Sequence, residues 1–213
     1  MRAVLAHAGR RLRGDYDVDE WGGDPDLVDL VDPLVRLVLR VEVDGGGRVP
    51  ASGAGVLVAN RRLGLAEPFA VVRAIRQATG RRARFLGIPD LAPLGPALRR
   101  FGGAVNRPLE LAGLLWAGHV CILPLSSELR RPPRAGNLRP ASLQPALELG
   151  VPVVPVAVLG GELTGRWRVQ VGPEIEHPPG SSPLDLAQLA DSARNGVQAL
   201  LDEASPPRRW LFD

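Results

Sequence analysis

The chain has 213 residues, 45% of them hydrophobic, with 26 basic against 23 acidic side chains and a formal net charge of +3, which fits one globular domain with a sizeable core and excludes two comfortable ones. Every basic residue is arginine, aromatics make up only 4%, and the pI is about 10.2. A core of Leu, Val and Ala follows, and nucleic acid is not expected as a partner, because basicity without interleaved aromatics is not the pattern of a single-strand binder.

Met1 to Arg13 carries too short an apolar segment for a signal peptide, and nowhere do some 18 apolar residues run uninterrupted, so a cytoplasmic protein, soluble or peripheral at the inner membrane face, is expected. Residues 1–40 read as an arm followed by two short helices. Asp24-Pro25 and Asp32-Pro33 each put a capping side chain before a proline, which marks two helix starts. Leu27, Leu30, Val31, Leu34, Val35 and Val38 recur at helical spacing. Packing of that stripe on the core is favoured over a membrane-surface helix, since Asp26, Asp29 and Asp32 would meet anionic headgroups, with partial membrane contact left open.

Residues 41–204 read as the main domain. Val41 to Val43 and Val56 to Ala59 are strands flanking the turn Asp44-Gly45-Gly46-Gly47, which lacks the Gly-Lys-Ser ending of a phosphate loop. Helices are expected over Pro68 to Thr79, before Arg100, over Pro108 to Ala117, Ala141 to Leu149 and Pro183 to about Ala204. Strands are expected at Arg84 to Ile88, His119 to Leu123, Val151 to Val158 and Arg166 to Val171. Pro124 to Pro140 reads as a long Pro/Arg/Ser loop, and residues 205–213 as a tail without period. Cys121, the single cysteine, sits in an apolar run as a buried structural thiol. The sum is a single α/β domain with a mostly parallel central sheet flanked by helices on both faces.

Several blocks, in order, resemble the phospholipid/glycerol acyltransferase family, here of the 1-acylglycerol-3-phosphate acyltransferase kind. Val58-Ala59-Asn60 resembles the lead-in to its Asn-His-x-x-x-x-Asp block. Gly102 to Arg107 resembles its second block, and Ile122 to Glu128 its third, a strand ending in Phe-Pro-Glu-Gly-Thr-Arg. Val151 to Val156 and Val171-Gly172-Pro173-Glu174-Ile175 are similar to the last two. The resemblance implies a role in glycerophospholipid metabolism, with an acyl-CoA or acyl-carrier thioester and a lysophospholipid as partners, and no cofactor or metal.

The family's base is a His oriented by an Asp, and its third block holds a substrate-binding Glu. Those positions are Arg61, Ala66 and Leu125 here. A guanidinium stays protonated and has no acceptor atom, so Arg61 cannot take a hydroxyl proton. None of His7, His119 and His177 has an acid five residues on. No residue is therefore assigned as catalytic, and a pseudoenzyme that binds lipid is expected. The alternatives are an active acyltransferase with a non-standard base, and a non-catalytic subunit of an active acyltransferase paralogue.

The rim left at the functional edge is cationic and polar: Asn60, Arg61, Arg62, Asn106, Arg107, Ser126, Ser127, Arg130 and Arg131. Arginine offers bidentate geometry to a phosphate or to an anionic membrane surface. Arg61 has a second reading, in which it fills the vacated site through a salt bridge. Ser126 and Ser127 lack a nucleophile-elbow motif. Arg81, Arg82 and Arg84 read as a solvated basic face.

Overall fold

The computed structural model describes residues 18–61, 66–127, 133–161 and 164–204. The chain begins with α1 (Pro25–Val38) and β1 (Arg40–Asp44), passes a 3-10 turn at Gly46–Arg48, and enters β2 (Gly55–Arg61) and α2 (Ala66–Thr79). Then come β3 (Ala83–Leu86), α3 (Leu94–Arg100), β4 (Gly103–Ala104), α4 (Pro108–Trp116) and β5 (Val120–Ser127). A 3-10 turn at Pro140–Leu143 leads into α5 (Gln144–Leu149), β6 (Val153–Gly160), β7 (Arg166–Val171) and α6 (Pro183–Ala204).

Seven strands form one sheet in the order β1-β7-β6-β2-β5-β3-β4. Every neighbouring pair is parallel except β6 with β7. The central strands are apolar on both faces, as a sheet covered twice requires. Along β2, Val56 and Val58 point to a core shared with Leu111, Leu114, Leu143 and Val197 of α4, the adjoining 3-10 turn and α6. Leu57 and Ala59 point the other way, to a core shared with Ala70, Val71, Ala74 and Ile75 of α2. The α/β fold with helices on both faces is thus the one expected.

Three local expectations differ from the structure. Asp32-Pro33 does not restart a helix: α1 runs through Pro33. The Asp32 carboxylate accepts from Nε of Arg36 at 2.7 Å instead of capping backbone, so the proline costs the helix one rung without ending it. The apolar stripe of α1 packs on the core only in part: Val35 lies against it, no residue of the helix is fully buried, and Leu34 and Val38 stay exposed. Asp29 and Asp32 face arginines of the domain, which pairs that flank of the helix with Arg73, Arg76 and Arg82. Finally β5 does not stop at Leu123 but continues to Ser127, where the returning chain binds it: Ser126 N–H donates to Asn137 O at 2.9 Å.

The arm is tied down from residue 18 onward. Asp19 accepts from the N–H groups of Trp21 and Gly23 at 3.0 and 2.8 Å and pairs with Arg84, and Trp21 lies against Gly113 of α4. Asp24 is buried and caps α1 through Leu27 N–H at 2.8 Å. The last helix opens on a reciprocal cap, Asp185 N–H to Ser182 Oγ and Ser182 N–H to Asp185 Oδ2.

Candidate functional site

Two crossovers place the site. β2 hands the chain through α2 to β3, which lies beyond β5, and β5 hands it through α5 to β6, which lies beyond β2. Adjacent strands whose connections leave in opposite directions open a crevice at their carboxyl ends, where open α/β sheets hold ligands.

Arg61 and Ser127, the last residues of β2 and β5, are register partners at that crevice. The register slips there, with Ala59 opposite Pro124 and Arg61 opposite Ser127, so β5 carries one extra residue. A bulge of this kind re-aims side chains beside a site. The half-buried Arg61 side chain lies over Gly87, where a Cβ would sit 3.1 Å from its Nη1 and 3.2 Å from Cγ of Pro124. With φ of 91°, Gly87 also holds a conformation that favours glycine. Among the described residues, none makes a hydrogen bond or ion pair with the Arg61 guanidinium.

The other expected rim residues divide. Asn60 is buried and its amide is committed to the sheet, Nδ2 donating to Val158 O at 3.0 Å and Oδ1 accepting from Val158 N–H at 2.6 Å. It continues the β2–β6 ladder with a side chain where the backbone pairing ends at Ala59 and Val156. Ser126 Oγ accepts from Asn137 N–H at 2.7 Å, and Gly136 packs so close to Ser126 that a Cβ would lie 1.9 Å from its carbonyl oxygen. Ser127 and Asn106 are exposed on the same edge, and Arg107 pairs with Asp90 at 2.8 Å in solvent. Arg62, Arg130, Arg131 and Glu128 lie outside the described residues. Leu125 is buried in the apolar core, and Ala66 is the first residue of α2.

Sequence reasoning missed the groove beside this edge. A cavity of about 430 Å³ lies between α1 and α2, lined by Val28, Val31 and Val35 above and Phe69, Val72 and Phe101 below. Ala66 also lines it, so the groove reaches the end of α2 that faces the carboxyl edge. Its floor is set by Phe69, which meets Phe85 and Phe101 edge-on at centroid distances of 5.5 and 5.9 Å. The helical spacing of Phe69, Val72 and Arg73 on α2 was the available signal. Nothing in it separates lining a groove from filling a core.

The described histidines stand at the opposite edge. His119 immediately precedes β5, eight residues before Ser127, which at strand rise puts it roughly 25 Å from the Arg61 end. Burial, then the Arg84 charge, hold its pKa below the ordinary 6.5. His177 follows Ile175, whose N–H donates to Val153 O at the amino end of β6. His7 lies outside the described residues. Burial pushes the Cys121 thiol up to about 12, so it is inert as a nucleophile. The Arg81 to Arg84 cluster also belongs to the amino edge and is not a free basic face. Arg81 donates to the carbonyls of Pro50, Gly53 and Gly118 at 2.7, 2.5 and 2.9 Å, Arg82 pairs with Asp29 and Arg84 with Asp19.

The sheet order, the switch point and the bulged edge define an α/β protein of the acyltransferase fold. The crystal structure of the 1-acyl-sn-glycerophosphate acyltransferase PlsC from Thermotoga maritima superposes with a TM-score of 0.58 at 16% identity, covering 84% of this chain and 81% of that one. The chain belongs to the same family as an uncharacterized protein of Mycobacterium tuberculosis, Rv0502, with 31% identity over 99% of this chain and 75% of the relative. The uncharacterized ML2427 of Mycobacterium leprae matches at 27% over 99% of this chain and 74% of its own length. No family profile matches the sequence.

Proposed function

We propose that this chain is an acyltransferase-family protein of glycerophospholipid metabolism that is catalytically impaired and binds a lysophospholipid or acyl thioester. The apolar groove takes the acyl chain and the Arg61 edge takes the phosphate. One observation carries the reading: Arg61, at the position that the resemblance gives to the family's base, is half-buried with no ionic partner among the described residues, and a groove lined by Ala66 reaches the same edge. A cation with no partner among the described residues at a switch point suits a bidentate phosphate better than a filled vacancy. Leu34, Leu37 and Val38 of α1 are 66, 77 and 65% exposed, Leu34 and Val38 at the lining of the groove, and give the protein an apolar patch at its mouth for a membrane surface. No helix among the described residues is long and apolar enough to cross one.

The test has two arms. Purified protein with acyl-CoA and lysophosphatidic acid is expected to make no phosphatidic acid above background; turnover abolished by substitutions at the Arg61 edge would establish the non-standard-base reading instead. A fluorescent fatty acid is expected to bind, with Val72→Trp blocking it. Arg61→Ala is expected to leave fatty-acid affinity intact while weakening lysophosphatidic acid about tenfold, the worth of one charge-assisted contact. Equal affinities of wild type and Arg61→Ala for lysophosphatidic acid would remove the phosphate role.

A further inference from the structure

We infer that α1 is a lid over the groove, held shut by ion pairs more than by core packing. A helix that belongs to the core buries an apolar stripe, yet α1 has no fully buried residue, sets Val35 only partly against the core, and lines a cavity of about 430 Å³ on that side. What holds its flank is charge. Asp29 divides its two oxygens between Nη2 of Arg76 and Nη2 of Arg82, both at 2.9 Å, while Asp32 is spent on Arg36 of the same helix at 2.7 Å and meets Arg73 of the domain at 3.9 Å. The seam is incompletely satisfied as well: Nε of Arg73 and Nη1 of Arg76 are buried without a hydrogen-bond partner among the described residues.

The ends of α1 are anchored, which makes opening a local event. At its start Asp24 N–H donates to Arg100 O at 2.8 Å, and just past its end Arg40 N–H donates to Gly165 O at 2.8 Å. Between these anchors Pro33 removes one rung of the helix. The motion these anchors leave to α1 is a lift between two fixed ends, uncovering Phe69 and Val72. Exposed and half-exposed ion pairs weaken as salt screens them, whereas apolar packing does not. Occupancy of the groove is thereby coupled to ionic strength and to any anionic surface that competes for Arg76 and Arg82.

The inference rests on the groove being a ligand site, and the experiment separates the two. Hydrogen exchange of the whole protein, read by mass spectrometry at 50 and 500 mM salt, is expected to show α1 amides accelerating about tenfold at high salt with α2 and β2 unchanged. Asp29→Asn and the double variant Arg76→Gln, Arg82→Gln are each expected to give that faster rate already at low salt, and together no further gain. A fluorescent fatty acid is expected to enter the variants faster. Exchange in α1 that ignores both salt and variants would overturn the lid, as would α2 and β2 accelerating in step with α1. Salt-sensitive exchange without fatty-acid binding would leave the lid standing and remove the acyl reading; binding with salt-blind exchange would do the reverse.

Discussion

Asn60 and Arg61 are neighbours on one strand end with opposite kinds of work. The Asn60 amide substitutes for a backbone rung, donating to and accepting from Val158 in a buried position. Asn60→Ala leaves both polar groups of Val158 without these partners, and a buried orphan costs about 1–3 kcal/mol each, so a loss of about 3 kcal/mol in urea unfolding is expected. A loss below about 1 kcal/mol would mean that water replaces the amide. Arg61, one residue on, has its guanidinium free of such ties among the described residues, and its value lies in binding and not in stability. The sequence placed both residues on the edge, because an apolar β-branched run breaking into Asn-Arg-Arg marks the carboxyl end of a strand. It did not separate their roles, since an amide satisfied by Val158, 98 residues away, leaves no trace near position 60.

At the scale of elements, local signals served wherever the chain's own periodicity decided the outcome. β7 and α6 lie where the alternation Arg166 to Val171 and the Ser182-Pro183 cap put them. They failed where a distant partner decided: Ser126 continues as strand because Asn137 returns to it, and α1 runs through Pro33 with Asp29 and Asp32 facing Arg73, Arg76 and Arg82 across the seam. Pro33 is thus a defect kept inside a helix that the domain holds from its flank. Pro33→Ala restores the amide donor to the Asp29 carbonyl and removes the ring clash, a change worth up to about 3 kcal/mol in a helix interior. Amide exchange across residues 25–38 is expected to slow, and fatty-acid entry to slow with it. Faster exchange in Pro33→Ala would show that the ring's rigidity stabilises α1 and would count against the lid.

Across the whole molecule the two ends of the sheet divide the labour. The amino edge is a network of internal ties, Arg81 on three carbonyls and Arg84 with Asp19 beside the half-buried His119; the carboxyl edge carries the groove and Arg61, which has no partner among the described residues. Acid should therefore act on stability through the amino edge. His119, held below 6.5 mainly by burial, takes up a proton less readily folded than unfolded, so the unfolded chain gains protons first as pH falls. Its contribution is complete above pH 6.5 and is lost as pH falls from there toward the folded value. Asp19 adds a second phase: burial would raise it, but hydrogen bonds from Gly23, Arg84 and Trp21 together outweigh burial and keep it below 3.8, so its share is lost only on descending past that value. Urea midpoints between pH 7.5 and 5.5 are expected to decline in the wild type and to stay flatter in His119→Gln, while both lose stability below pH 3.8. An unaltered decline in His119→Gln would move the proton-sensitive group to another residue, and with it the assignment of the amino edge as the acid-labile end of the fold.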